Sequence, residues 1–494
     1  MKRVTAAIAI AAALWVAAGC GSSGSHHTLV LRLETADMGN VWHFPAVERF
    51  IDSVSRLSHG TISVRPDIVT LPTGDQERYA APEARLVRNV AAGRSDLAFV
   101  DTWVFGTLGV RSFDALDAPL LIGSYATERA VVKSRLADEM LRSLRPLRVD
   151  GLALLAGRLR KPVARAQPLL GPAGYRAPFT FRTQPSRVPP RSIAALGARV
   201  DSAPTPFYLF QGDYANGKLD GLDEDLDSVF TDLPGEAPYV TANVNLWPRT
   251  ATIIANPGRL AGLSTRQRGW ISRAARAAAA YSTDVGAGDP ELAREFCAYG
   301  GRLAKASDAD LAALRRAFQP VYVELWHDPA TRPFMRRVVA IKRHVRAGPG
   351  LRIPSGCGPN RRPDRSEAMH SGTTVPNGIY RVRITRHDLQ SGGASPVEFV
   401  RSAGVFTLTL HDGRFRFEKR ESPPYLETGF YRGASDHAIF FTTFSPQIRD
   451  LVPTNRMISM HFVPGHLEMA AVMPGVGDIT VLVWFGTRPW ERIG

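Results

Sequence analysis

The stretches AAGRSDLAFVD (residues 91–101) and ANGKLDGLDED (residues 215–225) share one punctuation: a glycine, two residues, an aspartate, then a run of strand character. Glycine after a helical stretch supplies the left-handed conformation that ends a helix, and aspartate suits the tight turn that follows. Gly93 with Asp96, and Gly217 with Asp220, therefore predict two helix-to-strand turns. Matching elements precede the first of them. HTLVLRLET (27–35) reads as a strand, FPAVERFIDSVSRLSHG (44–60) as a helix, TISVRPD (61–67) as a strand and APEARLVRNVAAG (81–93) as a helix. The rhythm returns in PSRVPPRSIAALGARVDSAP (185–204) and PFYLFQGDYANGKLDGLDED (206–225), each giving helix, glycine and strand. Strands spaced by helices of this length predict βαβ units, largely parallel sheets and two α/β lobes with a cleft between them.

The second turn runs on as GKLDGLDEDLD (217–227), an acidic cluster in a chain of net charge +15. A calcium loop opening at Asp223 requires glycine at its sixth position and glutamate at its twelfth, where this chain has Ser228 and Pro234. The metal reading fails. The acids are expected to form a solvated face at a lobe edge, with pairing of Asp223 or Glu224 to a nearby arginine as the alternative.

At 494 residues the chain predicts two or three domains. Lys2 and Arg3, an apolar run from Val4 to Val16 and AAGC ending at Cys20 have the form of an export signal over residues 1–19, too short for a membrane span. Small residues before Cys20 are similar to a bacterial lipobox. That implies a lipidated Cys20 at the extracytoplasmic face of a bacterial membrane, with 20–27 as tether. Two cysteines then remain, Cys297 and Cys357, and an exported pair predicts a disulfide. The basic excess is mostly arginine without interleaved aromatics, which favours anionic partners in general and not nucleic acid.

Beyond the second turn the pattern is mainly helical. Ser264 and Gln267 form a capping-box signature, Asp289-Pro290 starts a helix carrying Cys297, Ser307 caps another that Pro320 stops, and Asp328-Pro329 begins a last one. Residues 28–345 are thus read as the two-lobe unit and the Pro/Gly-rich segment 346–375 as a linker. Eight short alternating runs over 376–494, from GIYRVRIT to DITVLVWF, predict a small closed antiparallel, lipocalin-like barrel or a sandwich.

Residues 28 to about 345 resemble the extracytoplasmic solute-binding receptors of TRAP (tripartite ATP-independent periplasmic) transporters, the DctP-like family. AVERFIDSVSRLSHGTISV, VAAGRSDLAFV with FDALDAPLLIGS, ALGARV with YANGKLDGLDED, LAGLSTRQRGWISRAA and FQPVYVEL carry the resemblance in order. It implies a type II periplasmic-binding-protein-like fold that holds a small organic acid between its lobes and delivers it to membrane permease subunits. It also implies a ligand carboxylate paired with an arginine on a G-x-K-x-R strand. Arg182 in APFTFRTQPSR is the match, although the lysine is absent and Ala177 stands near the expected glycine. A guanidinium offers two parallel N–H donors to a carboxylate, which lysine does not. A lobe-stabilising ion pair is the alternative for Arg182. A second family arginine falls at Arg158 or Arg160, which the sequence does not separate. Asn243 and Asn245 fall at polar ligand positions, and Trp103 and Phe207 either line the cleft or belong to the core.

The chain has no G-x-S-x-G elbow, no H-E-x-x-H and no Gly-rich phosphate loop, so nothing in it predicts an enzyme or a bound cofactor. The competing expectation is a lipoprotein that keeps the receptor fold as a sensor or scaffold, its β domain binding a partner or an apolar ligand.

Overall fold

The computed structural model describes residues 28–35, 45–68, 82–202, 213–214, 216–233, 238–298, 300–348, 350–360, 377–391, 403–411, 413–422, 424–434, 437–444, 455–463, 466–471 and 488–494. Cys20, Phe207, most of the helix expected before Gly217 and the run DITVLVWF (478–485) lie outside these residues.

Two mixed sheets carry the first part of the chain. The strands are β1 (Leu29–Thr35), β2 (Ile62–Ile68), β3 (Leu97–Asp101), β4 (Asp150–Leu155), β5 (Leu159–Ala164) and β6 (Thr180–Arg182). They continue as β7 (Arg199–Asp201), β8 (Gly221–Glu224), β9 (Tyr239–Thr241), β10 (Trp247–Pro248), β11 (Ala251–Ala255) and β12 (Arg302–Ala304). One sheet has the order β2-β1-β3-β11-β4, and the other β12-β9-β5-β8-β6-β7 with β10 also on β5. Strand β1 is parallel to β2 and β3, and β6 is parallel to β7 and β8. Against the expectation of largely parallel sheets, β11 is antiparallel to β3 and β4, and β5 is antiparallel to β8 and β9. The reason lies in the connections. β5 arrives from β4 of the other sheet through residues 156–158, and β11 arrives from β10 through Arg249 and Thr250. Neither follows a βαβ crossover, so neither is constrained to run parallel.

The two turns are built alike. Gly93 and Gly217 have φ of 73° and 75°, a conformation glycine adopts without a Cβ penalty. Asp96 Oδ2 accepts from Arg32 N at 2.8 Å, and Asp220 Oδ2 accepts from Thr180 N at 2.8 Å. Each aspartate thus ties its turn to the neighbouring parallel strand. On the other side, the Asp96 carbonyl accepts from Asn256 N and the Asp220 carbonyl from Arg165 N, at the ends of the two antiparallel strands.

Both sheets are covered on two faces, which explains why β3 is apolar throughout. Leu97 and Phe99 pack with Phe50, Val54 and Ala274 from the helices Pro45–Leu57 and Thr265–Ser282. Ala98 and Val100 pack oppositely with Val87, Phe105 and Met140. In the second sheet Val163, Leu222 and Val240 face Phe296 and Cys297, and Ala164 and Phe181 face Ile193 and Phe318. Ser264 and Gln267 form the expected capping box. Pro320 opens the helix Gln319–His327 in its first turn instead of merely stopping the helix Asp308–Ala317. The last helix, Arg332–Arg343, starts later than Asp328, whose carboxylate accepts from Ala330 N in the turn before it.

Cys297 and Cys357 are bonded, with Cα atoms 5.4 Å apart. Leu351, Ile353 and Cys357 pack on the second lobe's core, and the Cys357 carbonyl accepts from Leu303 N beside β12.

Eight antiparallel strands form a closed barrel: β13 (Gly378–Ile384), β14 (Gly404–His411), β15 (Arg414–Lys419), β16 (Tyr425–Ala434), β17 (His437–Phe444), β18 (Asn455–Val463), β19 (His466–Ala471) and β20 (Trp490–Arg492). Tyr380, Val382, Phe406, Leu408, Phe417 and Trp490 fill its core. Closure falls to the three-residue β20, which pairs with both β19 and β13. A helix, Arg386–Ser391, interrupts β13 and β14 where the sequence predicts only strands. Asp388 accepts from Thr385 N and from Arg488, fixing that helix to the residues before β20.

Candidate functional site

Strands β6 and β8 run parallel, with Arg182 in register with Leu222, and Glu224 at the end of β8 pairs with Lys161 near the start of β5, just after the connection from the first lobe. Crevices of this kind, outside the carboxyl ends of strands, are where α/β sheets bind ligands. The acids of GLDED sit here, buried. Asp223, Glu224 and Asp225 are all less than a tenth exposed, which corrects the expected solvated face. They are sequestered because they neutralise arginines. Arg160, buried on β5, donates from Nε to Asp223 Oδ2 at 2.6 Å and from Nη2 to Glu224 Oε1 at 2.8 Å. Trp247 Nε1 donates to the same Asp223 oxygen at 3.0 Å. Burial works against the Arg160 charge, but Glu224 and Asp223 more than offset it and hold the guanidinium above its ordinary value. Asp225 caps the helix Leu226–Asp232, accepting from Asp227 N and Ser228 N.

Arg158 lies in the connection from β4 to β5 and reaches a second connection, residues 283–288. Its Nη1 donates to Val285 O at 3.0 Å and Asp289 Oδ1 at 2.9 Å, and Asp227 lies 3.6 Å from Nε. Tyr125 donates its hydroxyl proton to the other Asp289 oxygen at 2.8 Å. At the third connection Arg249 faces Asp101 across 3.5 Å, and Thr102 and Thr250 share a hydroxyl contact of 2.6 Å. Glu128 Oε1 accepts from Gly157 N at 2.9 Å, and its burial raises its pKa to about 8. The connections are thereby held by side chains of both lobes.

The remaining contacts span the lobes directly. Arg187, just before the helix Val188–Ala195, donates to Asp114 at 2.9 Å. Burial raises the Asp114 pKa to about 6 despite that arginine. Lys161, buried on β5, donates to Asn245 Oδ1, and Asn245 Nδ2 donates to Gly123 O at 2.9 Å. Burial lowers the Lys161 pKa, with Asp289 and Asp225 opposing the shift. Asp117 is 4% exposed and makes no hydrogen bond or ion pair among the described residues. Its pKa is pushed well up by burial, and Asp114, Asp223 and Asp101 reinforce the shift.

Arg182, at the end of β6, donates to Asp201 Oδ2 at 3.0 Å; its side chain is 12% exposed and that of Asp201 27%. Arg160 is locked in the floor by two carboxylates, and Arg158 is at the inter-lobe connections. Asn243 clasps Ala306, donating to its carbonyl and accepting from its N–H at 2.8 Å each. Asn245 bridges the lobes, and Trp103 is packed in the first lobe's core. Asp117, Lys161, Arg249 and Tyr125 were not singled out by sequence, and Asp289 was read only as a helix start; isolated polar residues carry no local signal of burial. No group of three or more His, Cys, Asp or Glu residues among the described residues is arranged to hold a metal ion.

A family model described as "Bacterial extracellular solute-binding protein, family 7" (DctP) matches residues 39–328. No curated protein matches the chain. Among solved structures, a TRAP periplasmic solute-binding protein from Ralstonia eutropha with bound 2-acetolactate aligns at 17% identity, covering 64% of this chain and 99% of that one, with a TM-score of 0.55. One from Shewanella oneidensis with bound succinate aligns at 16% identity, covering 63% and 99%, with a TM-score of 0.54. A third, from Ochrobactrum anthropi with its own C-terminus in the ligand pocket, aligns at 18% identity, covering 65% and 96%, with a TM-score of 0.54. At these identities the likeness concerns the two-lobe fold.

Proposed function

The chain belongs to the bacterial extracellular solute-binding proteins of family 7, and we propose that it is a lipid-anchored receptor that closes over a small organic acid and hands it to TRAP-type permease subunits. The observation that carries this reading is Arg182 at the crevice end of β6, paired with Asp201, a carboxylate about a quarter open to solvent. A ligand carboxylate would compete with Asp201 for the Arg182 guanidinium, at a lower cost than at a fully buried pair because Asp201 is partly exposed to solvent. Arg160 cannot exchange in this way: its partners are buried, and removing them would strand a charge. Arg160 is therefore assigned to the floor of the site, Arg158 to the connections about which the lobes close, and Asn245 to the bridge between lobes.

The acids bound in the similar structures, succinate and acetolactate among them, support this class of ligand. Closure is a hinge motion, in which the ligand contributes by touching both lobes. Among the described residues no helix is long and apolar enough to cross a membrane. Membrane attachment is proposed through Cys20, on the strength of the AAGC sequence, and is checked by labelled-lipid incorporation that Cys20→Ala removes.

The receptor reading is tested by thermal unfolding of the full exported chain with succinate, glucuronate and galactonate. Stabilisation by an acid that Arg182→Ala abolishes is the expected result. Absence of stabilisation by a wide panel of acids, with the fold intact, contradicts it and favours a sensor or scaffold role for which the appended barrel is the distinguishing part.

A further inference from the structure

The carboxylates around the crevice outnumber the cations that face them. Asp101, Asp114, Asp117, Asp223, Glu224, Asp225, Asp227, Asp289 and Asp328 form a chain of electrostatic neighbours, with Arg111, Arg158, Arg160, Lys161, Arg187 and Arg249 as the cations among them. Arg187 is held by Asp114, Arg160 by Asp223 and Glu224, and Arg249 faces Asp101. Asp117 is left over. It is 4% exposed, without a hydrogen bond or ion pair, in a loop whose Leu120 N donates to Leu246 O across the lobes. Two further oxygens around it are buried and unbonded, Asp101 Oδ1 and Asp223 Oδ1. Buried acceptors normally find donors, so three carboxylates with open oxygens in one crevice are an unfilled recognition pattern.

We propose that the solute carries a cationic ammonium group as well as its carboxylate, the carboxylate pairing with Arg182 and the ammonium with Asp117, so that the ligand is an amino acid or related zwitterion. The inference rests on the receptor reading above and names the class of acid. An ammonium supplies three N–H donors and one positive charge, matching the open oxygens of Asp117, Asp101 and Asp223 and offsetting the excess of acid. A metal ion is the poorer occupant, because the described acidic groups do not converge closely enough to coordinate one. A plain dicarboxylate is also poorer, since its second carboxylate would meet acids instead of donors. Arg182 is in register with Leu222, the residue before Asp223, so the parallel strands β6 and β8 bring the two poles to the same edge of the sheet.

The test is calorimetric titration of the full exported chain with matched pairs of probes, the proteinogenic amino acids against the acids lacking the amine, such as L-glutamate against glutarate. At least one amino acid is expected to bind tenfold or more tightly than its partner. Asp117→Asn should erase that preference, while Arg182→Ala removes binding of both members. Asp117→Asn should also raise the melting temperature of the unliganded protein, because it removes a buried acid repelled by its neighbours, and this readout confirms that the variant folds. Equal or tighter binding of the acids without an amine, or of polyhydroxy acids such as galactonate, overturns the inference and leaves the receptor reading standing. Retention of the preference in a folded Asp117→Asn variant overturns it as well. No binding by any probe overturns both.

Discussion

The turns at Gly93 and Gly217 are the same device used twice, and they diverge only after the strand begins. Both have a left-handed glycine, an aspartate bonded to the N–H of the adjacent parallel strand, and a carbonyl bonded to the antiparallel strand that arrives from the other lobe. After the first turn, β3 is apolar until Asp101, and the chain continues into Trp103, Val104 and Phe105 of the lobe core. After the second, β8 ends in Asp223 and Glu224, followed by Asp225 and Asp227. Identical backbone logic thus delivers packing in one lobe and countercharge in the other. The first lobe contributes shape and the second contributes the groups that hold Arg158 and Arg160 at the junction.

The comparison breaks most visibly at the strand ends. Asp223→Ala leaves Arg160 buried with Glu224 as its remaining side-chain partner and is expected to cost about 3–5 kcal/mol in denaturant unfolding. Asp101→Ala, its counterpart after β3, faces Arg249 across the longer distance of 3.5 Å and should cost less, about 1–3 kcal/mol. Equal losses would mean that the acids of the second lobe have no special part. The turns themselves should behave alike. Asp96→Ala and Asp220→Ala each remove one carboxylate acceptor from a strand N–H and should each cost about 1–3 kcal/mol, with Asp96→Ala losing in addition the part-exposed ion pair to Arg259 at 2.8 Å, worth under about 1 kcal/mol. A large inequality between the two would show that the repeat is one of appearance only.

A smaller effect concerns pH. The folded protein raises the Glu128 pKa to about 8 from the ordinary 4.5. The neutral acid is therefore favoured by folding. That contribution is fully present below the ordinary value and is lost as pH rises toward about 8. Glu128→Gln keeps an acceptor for Gly157 N and should flatten the decline in stability across this window. A variant with the same slope as the parent would assign the decline to other groups.

The turns were legible because glycine and aspartate act within a few residues of themselves. The barrel strands were legible for a similar reason. Tyr380, Val382 and Ile384 alternate with Arg381 and Arg383, and the alternation is what a one-sided strand requires. Its closure by Trp490–Arg492 was not, because three residues carry no period. The mixed character of the sheets was hidden in connections of two or three residues between lobes. The site was the least legible part. Arg160 and Lys161 in LRKPVA look like a solvated edge, yet all six residues of β5 are buried. Arg160 finds its acid partner Asp223 63 residues away and Lys161 its amide partner Asn245 84 residues away, and no local pattern reports such partners. The choice between Arg158 and Arg160, open in the sequence, becomes a division of labour once their partners are known.

The central claim, that Arg182 is an anchor presently occupied by the protein's own carboxylate, is tested most directly by removing that competitor. Asp201→Asn should tighten the binding of a carboxylate ligand severalfold in calorimetric titration, while Arg182→Ala abolishes it. Unchanged affinity in both variants, each folded, would contradict the account and place the ligand's carboxylate elsewhere.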